Sequence, residues 1–154
     1  MPTQRHSRRL DNASDMVTAP TLGVCYYPEH WPEDQWQSDA ENMVAAGLSW
    51  VRIAEFAWSR IEPSPGEFDW GWLDRAVDIL GAAGLRIVMC TPTATPPKWL
   101  VDQMPDMVAI GPDGAPRKFG SRRHYSFAHE GYRRESARIS RLVAARYGKH
   151  EAVG

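Results

Sequence analysis

The sequence predicts an α/β fold built on a parallel sheet, and two observations carry this prediction. Three strand-like runs alternate with segments whose apolar residues recur every three or four positions, as in amphipathic helices. A short repeat, Ala46-Gly47-Leu48 and Ala83-Gly84-Leu85, joins a helix end to a strand start in both places. Strands that alternate with helices imply parallel pairing through right-handed crossovers, which brings the carboxyl ends of all strands to one edge of the sheet.

The first strand is predicted at residues 22–27, an apolar run expected to be buried. It ends at Pro28-Glu29-His30-Trp31-Pro32, because proline has no N–H for the strand ladder. A carboxylate, an imidazole and an indole therefore come to the carboxyl end of the strand, where α/β folds bind ligands. The alternative is that His30 and Trp31 only cap the next helix.

The next two units follow the same plan. A helix is expected to start after Pro32 and end at Gly47, and the second strand is predicted at residues 48–53. A second helix runs through residues 72–80 to Gly84, and the third strand is predicted at residues 85–90. The apolar stripe of the first helix contains Trp36, Ala40, Met43 and Val44.

The last third of the chain is less regular. A short helix is predicted at residues 98–103, and residues 105–130 show turn signals without a period. A final helix is expected over residues 132–147, ending at Gly148. Residues 151–154 have the composition expected for the approach to a fourth strand.

These units favour an incomplete (β/α)8 TIM barrel. The two copies of the repeat lie 37 residues apart, near the ~31 residues per unit of an eight-unit barrel. A doubly wound open sheet is the alternative, but no glycine-rich phosphate turn follows the first strand. Three units with the approach to a fourth do not close a barrel, so we expect residues 21–154 to be the N-terminal part of a longer catalytic domain. Because the strands at the edges of such a sheet lack partners, the chain alone is expected to aggregate or stay molten. A sharp, cooperative melt of a monomer would contradict this.

Composition narrows the classes of function. Apolar residues make up 43% and the net charge is −1, which gives no electrostatic case for nucleic acid or a membrane surface. Residues 1–20 are polar and lack the apolar core of a signal peptide, so we expect a disordered leader and a cytoplasmic location. Cys25 and Cys90 should then stay reduced and pack as small buried apolar groups. No cysteine spacing indicates a metal site, and no cofactor is expected.

Four motifs resemble the β-galactosidases of glycoside hydrolase family 42: LGVCYYPEHWPEDQW, VRIAEFAWSRIEPSPGEFDWGWLD, TPTATPPKWL and FGSRRHYSF. The resemblance implies a TIM-barrel enzyme, often a homotrimer, that hydrolyses terminal non-reducing β-D-galactose residues with retention. It also implies that both catalytic glutamates lie beyond Gly154, so no catalytic residue is expected in this chain.

The resemblance assigns substrate binding to Arg122, the first arginine of SRRHY, and to Arg52. A guanidinium can hold sugar hydroxyls and a carboxylate at once, although Arg52 could instead serve a structural ion pair with Glu55. Glu29 and Glu55 are a weaker alternative for the catalytic pair. Ser126 stands where some relatives have the first cysteine of a zinc site, so no such site is expected, with nearby His124 as a weak alternative ligand.

Two other functions stay open. The chain could be a stand-alone, non-catalytic carbohydrate-binding or interaction module. The basic residues of positions 117–125, interleaved with Phe119 and Tyr125, could bind nucleic acid, but this run is local and the net charge opposes it.

Two further expectations concern where particular side chains lie. The barrel interpretation requires Tyr27, Arg52 and Thr91 to open onto a common rim. Three tryptophans near predicted strand ends suit either a sugar ring or the core: Trp31, Trp58 and Trp99.

Overall fold

Three strands form a parallel sheet in the computed structural model, which describes residues 21–121 and 123–154. Cys25 lies opposite Arg52, and Arg52 lies opposite Val88. The predicted parallel α/β arrangement is confirmed. The strands lie side by side in chain order: β1 (Gly23–Cys25), β2 (Trp50–Ile53) and β3 (Arg86–Met89).

Helices connect the strands and pack on one face of the sheet. Gly47 and Gly84 follow the first and third helices with φ angles of 82° and 93°, a left-handed conformation that suits glycine at a helix end. A one-turn helix after β2 is an addition to the predicted elements. The helices in the described ranges are α1 (Trp36–Ala45), α2 (Trp58–Ile61), α3 (Gly71–Ala82), α4 (Lys98–Gln103) and α5 (Glu130–Tyr147).

The end of the described chain begins a fourth parallel strand. Val153 pairs with Ile87 of β3 in a parallel bridge. The Ile87 N–H donates to the Ala152 carbonyl at 2.7 Å, and the Gly154 N–H donates to the Ile87 carbonyl at 3.1 Å. The predicted approach to a fourth strand is confirmed.

The core lies between the sheet and the helices. Val51 and Ile53 of β2 are buried, whereas Trp50 and Arg52 alternate with them toward the opposite face and are half-buried. The prediction of a buried first strand is wrong, since Leu22 is 62% and Val24 is 39% exposed. The reason is that β1 is the edge of the sheet and has a partner on one side only.

The apolar stripe of α1 is narrower than predicted, since Val44 is exposed. The leader predicted at residues 1–20 lies outside the described residues. Within the described ranges, no helix is both long and apolar enough to cross a bilayer.

Replacing Gly23 with alanine is expected to push β1 away from β2. A Cβ at this position would lie 2.9 Å from the Trp50 Cβ and 3.0 Å from the Trp50 carbonyl oxygen, neither of which can swing aside. Such overpacking costs about 1–3 kcal/mol. When both are made within the longer catalytic domain of which these residues are expected to be the N-terminal part, thermolysin should cleave the variant at least about fivefold faster than the parent.

Gly71→Ala is the matched control, because its new Cβ would meet only the flexible end of the Arg75 side chain at 3.3 Å and an Asp69 carboxylate oxygen at 3.8 Å. Equal cleavage rates for Gly23→Ala and the parent would contradict the close approach of the two strands.

Candidate functional site

A cleft of about 820 Å³ opens at the carboxyl ends of β1 and β2. Charged groups from the end of β2, Arg52 and Glu55, lie at its floor, and residues 119–121 and 123–125 line the opposite side. Its aromatic side chains are Tyr27, Phe56, Phe119 and Tyr125. The cleft therefore combines flat apolar surfaces with hydrogen-bonding groups of both charges.

Arg52 lines this cleft and also forms the ion pair that was the alternative. Its Nη2 lies 2.8 Å from Glu55 Oε1, and the arginine side chain stays 39% exposed. The hydrogen bond to Glu55, followed by the one to Cys25, raises the pKa of Arg52 above its ordinary value, so the guanidinium stays charged. The ion pair orients Arg52 without removing it from the cleft.

A strained residue sets the position of Glu55. Ala54 directly precedes it, is fully buried and has a φ of 70°, which a residue other than glycine rarely adopts. Strain of this kind costs about 1–3 kcal/mol and clusters at functional sites. Arg123 on the opposite wall has a φ of 55°. No pattern in the sequence marks either residue as left-handed.

The two cysteines differ from the buried apolar groups that were expected. Cys25 is exposed and Cys90 is half-buried. Both sulfurs accept hydrogen bonds from Arg52: Nε lies 2.9 Å from Cys90 Sγ, and Nη1 lies 3.4 Å from Cys25 Sγ. The difference arises because the Arg52 side chain of β2 lies between the two cysteines, and its N–H donors take the sulfurs as acceptors.

Glu29 and Glu55 do not come together in the cleft. Glu55 lines it, but Glu29 does not. Both carboxylate oxygens of Glu29 are buried and have no hydrogen-bond partner of normal geometry among the described residues. Burial raises the pKa of Glu29, and the nearby charges of His30 and Arg60 offset only part of this effect.

The common rim forms only in part. Tyr27 and Arg52 share the cleft, whereas Thr91 lines a separate groove against α5. Trp58 is fully buried in the core, and Trp99 is half-buried and donates to the Glu62 carbonyl at 3.0 Å. Trp31 is exposed but lies outside the cleft. The aromatic surfaces of the cleft come from tyrosine and phenylalanine instead.

The described residues of the SRRHY motif line one side of the cleft. Arg122, the first predicted substrate ligand, lies outside the described residues, and its neighbours Ser121 and Arg123 line the cleft. His124 is 3% exposed, with Nδ1 3.0 Å from the Ser121 carbonyl oxygen. Its ring makes edge contacts with Phe119 and Tyr125 at centroid distances of 5.3 and 5.6 Å. Phe119 and Tyr125 thus pack around His124, an arrangement unlike a row of rings for stacked bases.

Comparison with known proteins decides the family. The family model described as glycoside hydrolase 42, β-galactosidase, matches residues 25–154. The chain belongs to glycoside hydrolase family 42. A β-galactosidase of Thermus thermophilus is 58% identical over 132 residues, which are 86% of this chain and 20% of that protein. A Halorubrum lacusprofundi β-galactosidase is 54% identical over 126 residues, or 82% and 18%.

Solved structures agree with the family 42 assignment. The β-galactosidase of the psychrophilic Marinomonas ef1 superposes with a TM-score of 0.84 at 55% identity, covering 87% of this chain and 20% of that one. The chain matches the N-terminal part of these TIM-barrel enzymes, so the incomplete barrel is confirmed. It spans about a fifth of the length of the curated relatives that it matches.

The residues around Ser126 and His124 offer no metal-binding cluster in the part of the chain that the structure describes. In the described ranges, no group of three or more His, Cys, Asp or Glu side chains is placed to hold a metal ion. Ser126 carries a hydroxyl in place of a thiolate, and His124 directs Nδ1 at a carbonyl oxygen. The expectation of no zinc at this position stays a prediction.

Glu29→Gln is expected to stabilise the family 42 chain increasingly as the pH rises. The folded-state pKa of Glu29 is raised, so the parent must bury a charge above that pKa, and it avoids this cost at low pH. Within a longer protein that carries residues 21–154, the ratio of the thermolysin cleavage rate of the parent to that of the variant should exceed one at about pH 8 and should fall as the pH is lowered toward about 5.

Glu33→Gln is the control of opposite sign. The hydrogen bond from Arg75 lowers the pKa of Glu33, so neutralising this carboxylate should not protect the chain at the higher pH. A Glu29→Gln ratio that is the same at both pH values would contradict the unpaired, buried carboxylate.

Proposed function

We propose that this chain forms the first three βα units of a retaining β-galactosidase that hydrolyses terminal non-reducing β-D-galactose residues. It contributes sugar-binding residues, including Arg52 and Arg122, while the acid/base and the nucleophile lie beyond residue 154. The observation that carries this proposal is the cleft at the carboxyl ends of β1 and β2, with the Arg52–Glu55 pair at its floor.

The chemistry of the cleft supports a sugar ligand. Sugar hydroxyls both donate and accept, and the Arg52 guanidinium and the Glu55 carboxylate offer the matching partners. Tyr27 and Phe56 pack against each other at the rim with ring centroids 5.4 Å apart, giving an apolar surface for sugar C–H groups. A volume of about 820 Å³ is within the range of small-ligand sites.

The carboxylates of the described cleft are too few for the reaction. Retaining hydrolysis needs two carboxyl groups about 5–5.5 Å apart, one as acid/base and one as nucleophile. Among the residues described in the cleft, Glu55 is the only carboxylate, and it is paired with Arg52. This supports a substrate subsite whose reacting acids come from a different part of the enzyme.

The same observation favours one alternative, a non-catalytic carbohydrate-binding module. The two functions predict different codons downstream of Gly154 in the gene. A reading frame that continues past Gly154 into an Asn-Glu pair supports the enzyme, and a stop codon there supports the module.

A chimera tests the proposed function. Residues 25–154 replace the aligned segment of the Thermus thermophilus β-galactosidase, which is 58% identical there. We expect this chimera to fold and to hydrolyse a chromogenic β-galactoside, and a version with glutamine at the relative's own nucleophile serves as the blank. A chimera that fails to fold, or that folds and turns over no faster than the blank, contradicts the proposal.

Assembly and location are part of the same proposal. A homotrimer in the cytoplasm is what family membership favours for the whole enzyme. Light scattering of the purified chimera measures the assembly, and a monomer would count against the trimer.

A further inference from the structure

Arg52 is held by three acceptors from three different segments. The Arg52 nitrogens each donate to one acceptor: Nη2 to Glu55 Oε1 at 2.8 Å, Nε to Cys90 Sγ at 2.9 Å, and Nη1 to Cys25 Sγ at 3.4 Å. Each nitrogen of the planar guanidinium therefore has its own partner, and three such points define the plane. A guanidinium carries five N–H groups, so donors remain for a ligand in the cleft.

The strand register explains how the two thiols reach one arginine. Cys25 of β1 lies directly opposite Arg52 of β2. Cys90 follows β3, where its N–H donates to the Ile53 carbonyl at 3.0 Å. The arginine thus lies between thiols from both neighbouring strands. Neither cysteine lines the cleft, whereas Arg52 does, so the sulfurs reach a ligand only through the guanidinium.

The thiols accept hydrogen bonds from Arg52, which the apolar residues usual inside a barrel cannot do. Barrel interiors are filled mainly by valine, isoleucine and leucine, which would leave the guanidinium donors facing C–H groups. A second carboxylate in place of a thiol would accept these hydrogen bonds but, beside Glu55, would leave a net negative charge around the arginine. Burial raises the pKa of the Cys90 thiol, so this acceptor stays neutral near neutral pH. The thiols thus orient the arginine without adding a second negative charge to that of Glu55.

We propose that Cys25 and Cys90 are positioning residues that hold the Arg52 guanidinium at the floor of the cleft in the orientation that binds a sugar hydroxyl. This inference rests on the proposed function. It also reverses the first interpretation of the cysteines as apolar filling.

The test uses the chimera with Cys25→Ala, Cys90→Ala and the double variant. Loss of an acceptor should raise KM about fivefold in Cys90→Ala, and by less in Cys25→Ala, whose contact with Arg52 is longer. The kcat should stay within about twofold of the parent, because ground-state and transition-state binding weaken together. Cys90→Ser keeps an acceptor and should restore most of the loss. The melting temperature should be the same for Cys90→Ala and Cys90→Ser, so that packing does not explain the difference in KM.

The decisive experiment introduces Cys25→Ala and Cys90→Ala into a chimera that already carries Arg52→Ala. If the cysteines act through Arg52, they should have no further effect there, a coupling that a double-mutant cycle measures. Equal effects with and without Arg52, or no change in KM in either background, overturn the inference. If an alanine variant does not fold, the Cys90→Ser and Cys90→Val pair decides in its place, with loss expected only in Cys90→Val. An inactive parent chimera would instead reject the proposed function.

Discussion

Glu62→Ala is expected to destabilise the chain more than any other substitution proposed above. Glu62 is fully buried and its carboxylate is the acceptor for three separate segments. It accepts hydrogen bonds from Trp58 Nε1 at 3.0 Å, from the Gly66 backbone N at 2.9 Å, and from Arg138 Nη2 at 2.7 and 2.8 Å. The carboxylate thus ties α2 and the following turn to α5.

Removing this carboxylate leaves a partly buried guanidinium and two N–H groups without acceptors. Truncating one partner of a buried ion pair costs about 3–5 kcal/mol. We therefore expect the chimera carrying Glu62→Ala to melt many degrees lower, or to be recovered only as aggregate. Glu62→Gln keeps a neutral acceptor and should fall between this variant and the parent.

The control for Glu62 is Glu135→Ala, which removes the other carboxylate on Arg138. Glu135 lies 2.7 Å from Arg138 Nε but its side chain is 20% exposed, so water can replace it in part. Its effect should be clearly smaller, on the order of 1 kcal/mol. Similar melting temperatures for Glu62→Ala and Glu135→Ala would contradict the central role of Glu62.

Arg52→Ala is expected to lower kcat/KM of the chimera by about a hundredfold. The substitution would remove the charge-assisted hydrogen bonds that we propose Arg52 makes to the sugar, and it leaves Glu55 without its partner. Arg52→Lys keeps the charge but loses the planar fork, so it should recover only a small part of the activity. Initial rates with a chromogenic β-galactoside measure both variants.

Arg75→Ala is the matched control for Arg52. Arg75 also pairs with a carboxylate, that of Glu33, but both side chains lie on the surface away from the cleft. It should leave kcat/KM within about twofold of the parent, since exposed ion pairs contribute little. An Arg52→Ala chimera as active as Arg75→Ala would remove Arg52 from the sugar site.

The sequence predicted those features of the fold that depend on local patterns. Glycines at the helix ends, apolar periodicity in α1 and α3 and short strand runs together located the three units and the start of the fourth. The burial of β1 was predicted wrongly because an apolar run does not reveal whether a strand has one neighbour or two. Val24 carries a core-like side chain and still lies exposed at the sheet edge.

The site could be predicted only where a motif carried it. Arg52 was identified from the resemblance, but the sulfur acceptors on either side of it depend on strand register, which composition does not give. The sequence gives no sign of the role of Glu62, because its partner Arg138 lies 76 residues later in the chain. Thr91 lines the groove against α5, and the segment after β3 contributes Ala94, Thr95 and Pro96 to the cleft instead.

The central claim is that this chain supplies a substrate subsite but neither of the reacting carboxyl groups. The most direct test measures how fast the 154-residue chain alone hydrolyses a chromogenic β-galactoside, beside the chimera at equal concentration. We expect turnover by the chimera and no rate above the uncatalysed reaction for the chain alone. Hydrolysis by the chain alone that rises with its concentration and disappears in Glu55→Gln would contradict the account, because the reacting carboxylates would then lie within residues 1–154.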